Sequence, residues 1–252
     1  MDLLALPAFA DNYMWLLHDG QRALVVDPGD AAPVLAWLDR TGFELTAILV
    51  THHHADHVGG VDALRSRLKG PVYGPAREKI PAPFVPLREG DAIDVLGLRF
   101  GVLDVPGHTA GHIAYWQPQQ KLLFCGDTLF SAGCGRLFEG TPRQMSESLA
   151  KLSALPGDTR VCCTHEYTLS NLRFAAAVEP ANADRAAHEA HCRQQRAADV
   201  PTLPSNIALE QRINPFLRCS EPAVVSAARS RGAAADDPVS VLAALREWKN
   251  QF

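Results

Sequence analysis

Through residue 165 the chain alternates short apolar runs with polar, Gly- and Pro-containing turns; beyond it the apolar spacing is helical. Residues 3–6, 13–17 and 23–26 are apolar stretches of strand length and predict an antiparallel opening sheet. Residues 32–40 carry Val34, Leu35, Trp37 and Leu38 at helical spacing, with Gly42 as the stop. Residues 47–50 predict a buried strand and residues 61–68 a short helix. The Pro-rich stretch 71–86 predicts an ordered connector with one short strand at Val72-Tyr73. Two hairpins follow, 92–95 with 98–105 across Gly97, and 113–116 with 121–125 across a Gln-Pro-Gln-Gln turn. Thr141-Pro142 opens a helix to Leu152, and residues 161–163 form the last expected strand. Residues 169–178, 183–198, 221–230 and 239–248 are helical by propensity or period. The pattern predicts a layered α/β domain over residues 1–165 and a small α-helical domain over residues 166–252.

Candidate chemistry sits at the strand ends, where loops carry function in α/β folds. The stretch Thr51-His52-His53-His54-Ala55-Asp56-His57-Val58-Gly59-Gly60 follows the strand at 47–50. On extended chain, residues two apart share a face, so His52 and His54 converge while His53 points away. Asp56 and His57 lie where the chain turns into a helix and face a second position. His108, Asp127 and His165 each follow a later strand. Imidazole and carboxylate donors suit a hydrolytic metal centre more than a thiolate structural site. Asp27 reads equally as a turn residue or as a carboxylate that orients a ligand histidine. His18, His53, His112, His188 and His191 read as structural or surface residues, and Cys125 as a buried apolar side chain.

Composition narrows the classes. The chain has 252 residues, 47% hydrophobic and 21% charged, as in ordinary globular proteins. A net charge of −4 argues against a general nucleic-acid binder. No apolar run approaches the ~20 residues of a membrane span. Six cysteines without a C-x-x-C pair and no basic, apolar leader predict reduced thiols in a cytoplasmic protein, read as a monomer.

The order H-x-H-x-D-H, His108, Asp127, His165 resembles the metallo-β-lactamase superfamily. Within it, Pro106-Gly107-His108-Thr109-Ala110-Gly111-His112, Gly126-Asp127-Thr128, Gly133-Cys134-Gly135-Arg136, His165-Glu166-Tyr167-Thr168, Asn214-Pro215-Phe216 and the tail Arg246-Glu247-Trp248-Lys249-Asn250-Gln251-Phe252 resemble the glyoxalase II (hydroxyacylglutathione hydrolase) family. The resemblance implies an αββα sandwich holding two divalent metal ions, with zinc first and iron or manganese as alternatives, then an α-helical domain that covers glutathione. It implies His52, His54 and His108 on the first ion, Asp56, His57 and His165 on the second, and Asp127 bridging. Tyr167, Arg246 and Lys249 would hold glutathione, with Arg136 in the place of a family lysine and Phe138 where some members have a tyrosine.

The implied activity is hydrolysis of S-(2-hydroxyacyl)glutathione, chiefly S-lactoylglutathione, to lactate and glutathione, the second step of methylglyoxal detoxification. A bridging hydroxide would attack the thioester carbonyl, and Asp56 could take its proton. A thiolate of parent pKa about 8.5 leaves without a dedicated acid. Competing expectations are another superfamily activity (lactonase, β-lactamase, phosphodiesterase or persulfide dioxygenase) and a non-catalytic glutathione- or metal-binding module.

Overall fold

A computed structural model describes residues 1–252. The chain forms two compact units, Met1–Asp104 with Ala110–Gly126, and Val105–Thr109 with Asp127–Phe252.

The first unit opens on β1 (Asp2–Ala8), β2 (Asn12–His18) and β3 (Arg22–Val26), antiparallel neighbours as the apolar runs predict. Helix α1 (Ala31–Thr41) crosses over to β4 (Glu44–Leu49), which pairs parallel with β3. The Asp30 side chain caps α1 at its start, and Gly42, at φ 72°, ends it. Val34, Trp37 and Leu38 of α1 pack on Leu16, Val25 and Ile48 of the sheet. Past β4 come two four-residue helices, α2 (Ala55–Val58) and α3 (Val61–Leu64), then β5 (Val72–Pro75) and β6 (Val85–Leu87), which complete a six-stranded sheet in chain order.

Two expectations change here. The helix expected over 61–68 stops at Leu64, because Leu68 is drawn into a bridge with Leu45 of β4. The connector 71–86 runs into a second strand, β6, whose Pro86 sits where an edge strand tolerates it.

Strands β7 (Ala92–Val95), β8 (Leu98–Asp104), β9 (Ile113–Gln117) and β10 (Leu122–Gly126) then run as an antiparallel meander. Leu24 and Val26 are buried on the face of β3 away from α1. The Tyr115 hydroxyl of β9 donates to the Val50 carbonyl at 2.9 Å, so the meander is layered on that first sheet.

The second unit begins with a hairpin, β11 (Leu129–Phe130) and β12 (Gly133–Cys134), that the sequence pattern did not show. Helix α4 (Pro142–Ser153) starts at a Thr141/Gln144 capping box. Strand β13 (Arg160–Cys163) precedes α5 (Thr168–Val178) and α6 (Ala183–Ala197). A two-residue strand β14 (Ser205–Asn206) pairs with β13, so residues 161–163 are not the last strand, and α7 (Ile207–Ile213) was also unforeseen. Helices α8 (Pro222–Arg229) and α9 (Pro238–Gln251) close the chain. No helix is long and apolar enough to cross a membrane.

A buried polar knot fixes the β11–β12 hairpin. Glu210 of α7 accepts from Ala132 N at 2.7 Å and from the Ser205 hydroxyl, and Asn214 donates to Glu210, Phe130 O and Gly133 O. Burial raises the Glu210 carboxyl above the usual carboxylate range, and these donors hold it back. The Asn214-Pro215-Phe216 motif thus acts as a brace for the hairpin.

Candidate metal and substrate site

In the first unit the loop after β4 brings His52 Nε2 to 3.1 Å from His54 Nδ1. His57, on α2, lies with its Nε2 3.5 Å from Asp56 Oδ2, and Asn12 donates to the same oxygen at 3.0 Å. Asp27 resolves in favour of the orienting role. Its carboxylate accepts from Thr51 N at 2.7 Å and from the Thr51 hydroxyl at 2.8 Å, and lies 3.1 Å from His57 Nδ1.

These partners set the tautomers. The Thr51 proton is directed at Asp27, so Thr51 Oγ1 receives one from His52 Nδ1, 3.1 Å away. Asp27 likewise favours the proton on His57 Nδ1. Both rings then turn a bare Nε2 lone pair inward, one toward His54 and the other toward Asp56.

The second unit repeats the arrangement. His108 Nδ1 lies 2.8 Å from the Arg136 carbonyl, which can only accept, so the ring proton sits on Nδ1. His108 Nε2 then faces Asp127 Oδ2 at 3.4 Å, and His165 Nε2 faces the same oxygen at 3.3 Å. Gly135 permits this approach: a Cβ there would lie 1.9 Å from the Asp127 carbonyl and 3.2 Å from His108 Nδ1. At His57–Asp56 and His108–Asp127 a bare ring nitrogen then faces a carboxylate oxygen, which is repulsive unless a cation lies between. The donors are all imidazole nitrogen and carboxylate oxygen, and His52, His57, His108, Asp127 and His165 are buried. The residues fit divalent metal ions.

Of the histidines read as structural or surface, His191 is exposed. His53 faces Glu78 at 2.6 Å, His18 packs on Trp37 and Phe43, and His188 contacts Cys192. His112 is fully buried and stacks on the His52 ring at 4.6 Å. All six cysteines are buried free thiols, Cys125 among them.

His108 and Asp127 also line a cavity of about 570 Å³ within the second unit. Its wall includes each expected substrate residue, Arg136, Phe138, Tyr167, Arg246 and Lys249. Tyr167 stacks on His165 at 4.7 Å, and the exposed Phe138 ring sits edge-on to His108. Arg246 and Lys249 share a face of α9, as their spacing predicts, but they are not a solvated pair. Arg246 is 4% exposed and donates to Cys134 O at 2.8 Å. Lys249 donates to Asn171 Oδ1 at 2.6 Å. Burial, then the charge of Arg246, pulls the Lys249 ammonium well below the usual lysine range, to about 8.

Sequence reading missed Asn171, Ser170 and Arg173 in this wall. Asn171 spans Ser131 O and Lys249, and the only hint was a polar residue on the buried face of α5.

Residues 9–165 match the family model described as the metallo-beta-lactamase superfamily, and residues 166–252 the one described as hydroxyacylglutathione hydrolase C-terminus. A hydroxyacylglutathione hydrolase of Albidiferax ferrireducens is 57% identical over 100% of both chains. One from Ectopseudomonas mendocina is 59% identical over 98% of both. Among solved structures, TTHA1623 in a di-iron-bound form is similar at TM-score 0.61 and 31% identity, covering 86% of this chain and 100% of that one.

Proposed function

The chain belongs to the hydroxyacylglutathione hydrolase family of the metallo-β-lactamase superfamily, and from that premise we propose how its residues share the work. It is a metal-dependent hydrolase with a metallo-β-lactamase fold and a C-terminal helical domain. We divide the two domains at residues 1–165 and 166–252. The substrate is an S-(2-hydroxyacyl)glutathione, chiefly S-lactoylglutathione, cleaved to the 2-hydroxy acid and glutathione.

In this reading His52, His54 and His108 hold one ion, Asp56, His57 and His165 a second, and Asp127 serves both. Two divalent ions supply Lewis acidity and an activated water near neutral pH. Zinc is the proposed occupant, with iron or manganese as alternatives, since the same donors suit all three. Asp27 and Thr51 keep the ring protons of His57 and His52 away from the ions. Asp56, steadied by Asn12, is placed to accept a proton from the attacking water. Arg246 and Lys249 bind the glutathione carboxylates, with Arg136 and Tyr167 beside them. The departing thiolate needs no protein acid. Six buried thiols support a reducing, cytoplasmic setting.

The observation that carries the substrate reading is the shared cavity, in which His108 and Asp127 stand beside Arg246 and Lys249. Metal analysis of the purified protein, run beside thioester assays with and without the tripeptide, tests it. Two divalent ions per chain and turnover confined to glutathione thioesters are expected. Equal turnover of a thioester lacking glutathione would remove the substrate assignment.

Two smaller effects follow. Phe138→Tyr adds a hydroxyl to the cavity wall and is expected to tighten substrate binding by about 0.5–1.5 kcal/mol, the net value of one hydrogen bond. An unchanged or higher KM would place Phe138 outside the substrate's reach. The second effect is on pH. Lys249 is cationic below about 8 and neutral above it, so the attraction for a carboxylate is present at low pH and fades as pH rises through that value. kcat/KM for the glutathione thioester is expected to fall on that limb, and Lys249→Arg to flatten it. Identical profiles for wild type and variant would detach the limb from Lys249.

A further inference from the structure

Resting on the metal-ligand reading above, we infer that Glu78 is a positioning residue that clamps the first-ion loop onto the segment carrying His112. Glu78 lies in the turn after β5, and its side chain is 1% exposed. One oxygen, Oε2, accepts from His53 N at 2.7 Å and lies 2.6 Å from His53 Nδ1. The other, Oε1, accepts from Gly111 N at 3.0 Å. His53 separates the ligands His52 and His54, so its amide fixes the peptide that joins them. Gly111 precedes His112, whose ring stacks on His52.

The chemistry requires a carboxylate at this position. The amide N–H groups of His53 and Gly111 reach opposite oxygens, with His53 Nδ1 beside the first, and a carboxyl group offers an acceptor at both ends. An amide would turn an NH₂ toward one of these donors, leaving donor against donor at a side chain that is itself 1% exposed. Gly111 is part of the same device. A Cβ there would stand 2.6 Å from Glu78 Cγ and 3.0 Å from Arg77 Cβ, so any larger residue pushes the carboxylate off its partners. The backbone amide of His53, a residue silent as a ligand, is the handle by which the loop is held.

Two variants test this from different sides. Glu78→Gln breaks the acceptor pair without changing volume, and Gly111→Ala displaces Glu78 without removing its charge. Metal release to a chromophoric chelator is followed, together with Tm of the metal-loaded and metal-free proteins. In each variant one ion is expected to leave about 10–100-fold faster than from wild type, the range typical of lost support behind a ligand. The Tm gained on metal loading should shrink, and KM of the loaded enzyme should stay within about twofold of wild type. His53→Ala keeps the amide contact and is expected to release metal at close to the wild-type rate. If Glu78→Gln and Gly111→Ala lower Tm equally with and without metal and release both ions at the wild-type rate, Glu78 is a folding residue only and the inference fails. Wild-type protein that binds no divalent ion would instead overturn the ligand reading on which it rests.

Discussion

Asp127→Asn is expected to empty both metal positions, not one. A single Asp127 oxygen lies 3.4 Å from His108 Nε2 and 3.3 Å from His165 Nε2, and the proposed scheme assigns those two rings to different ions. The amide is neutral and turns either a weaker oxygen or an NH₂ toward them, so both ions lose a charge neutraliser and the rings lose their common partner. The affinity loss at each position should exceed the ~10–100-fold typical of removing a supporting partner behind a ligand. Metal per chain after dialysis should fall from about two toward zero, with activity falling in step. Asp56→Asn is the comparison: its carboxylate faces His57 and accepts from Asn12, among the residues assigned to the second ion alone, so the second ion should loosen while the first stays. An Asp127→Asn protein that is inactive yet holds two ions would refute the bridging role, and equal metal loss in both variants would refute the division into two positions.

What could be read from the sequence followed contiguity. His52, His54, Asp56 and His57 fall within six positions behind an apolar strand, so period and turn chemistry place them without tertiary information. His108, Asp127 and His165 were placed by their position after strands. Asp27 stayed ambiguous because its partners Thr51 and His57 are 24 and 30 positions away, and only the β3–β4 pairing brings them together. The strands missed are short: β6, β11, β12 and β14 have two or three residues each, too few for a period of two to register. Their order comes from partners such as Glu210 and Asn214, buried polar residues that a hydrophobic pattern reads as surface. The same blindness hid Asn171, and it left the burial of Arg246 unread.

The burial of Arg246 sharpens the second large prediction, for the Arg246→Ala, Lys249→Ala double variant. Glutathione carries two carboxylates and one amine, and these two cations share its proposed cavity. Neither belongs to the proposed metal ligands, so metal content should not change. Each charge-assisted hydrogen bond lost costs about 1.5–3 kcal/mol, so KM for a glutathione thioester is expected to rise ~100-fold or more for the pair if the two losses add. kcat should change far less, as when uniform binding is removed, and a neutral thioester lacking the tripeptide should show little difference. Arg246 also ties α9 to Cys134 O, and Lys249 ties it to Asn171, so a modest fall in Tm accompanies the KM effect. The two readouts separate because metal-loaded protein kept below its Tm still shows the raised KM. Salt distinguishes buried from exposed charge. With Arg246 4% exposed, screening reaches the pair weakly, and KM of the wild type should rise only gently with ionic strength. Equal KM values for wild type and double variant on a glutathione thioester would show that these cations serve the packing of α9 alone, and glutathione recognition would then have to be sought among Arg136, Arg173 and Tyr167.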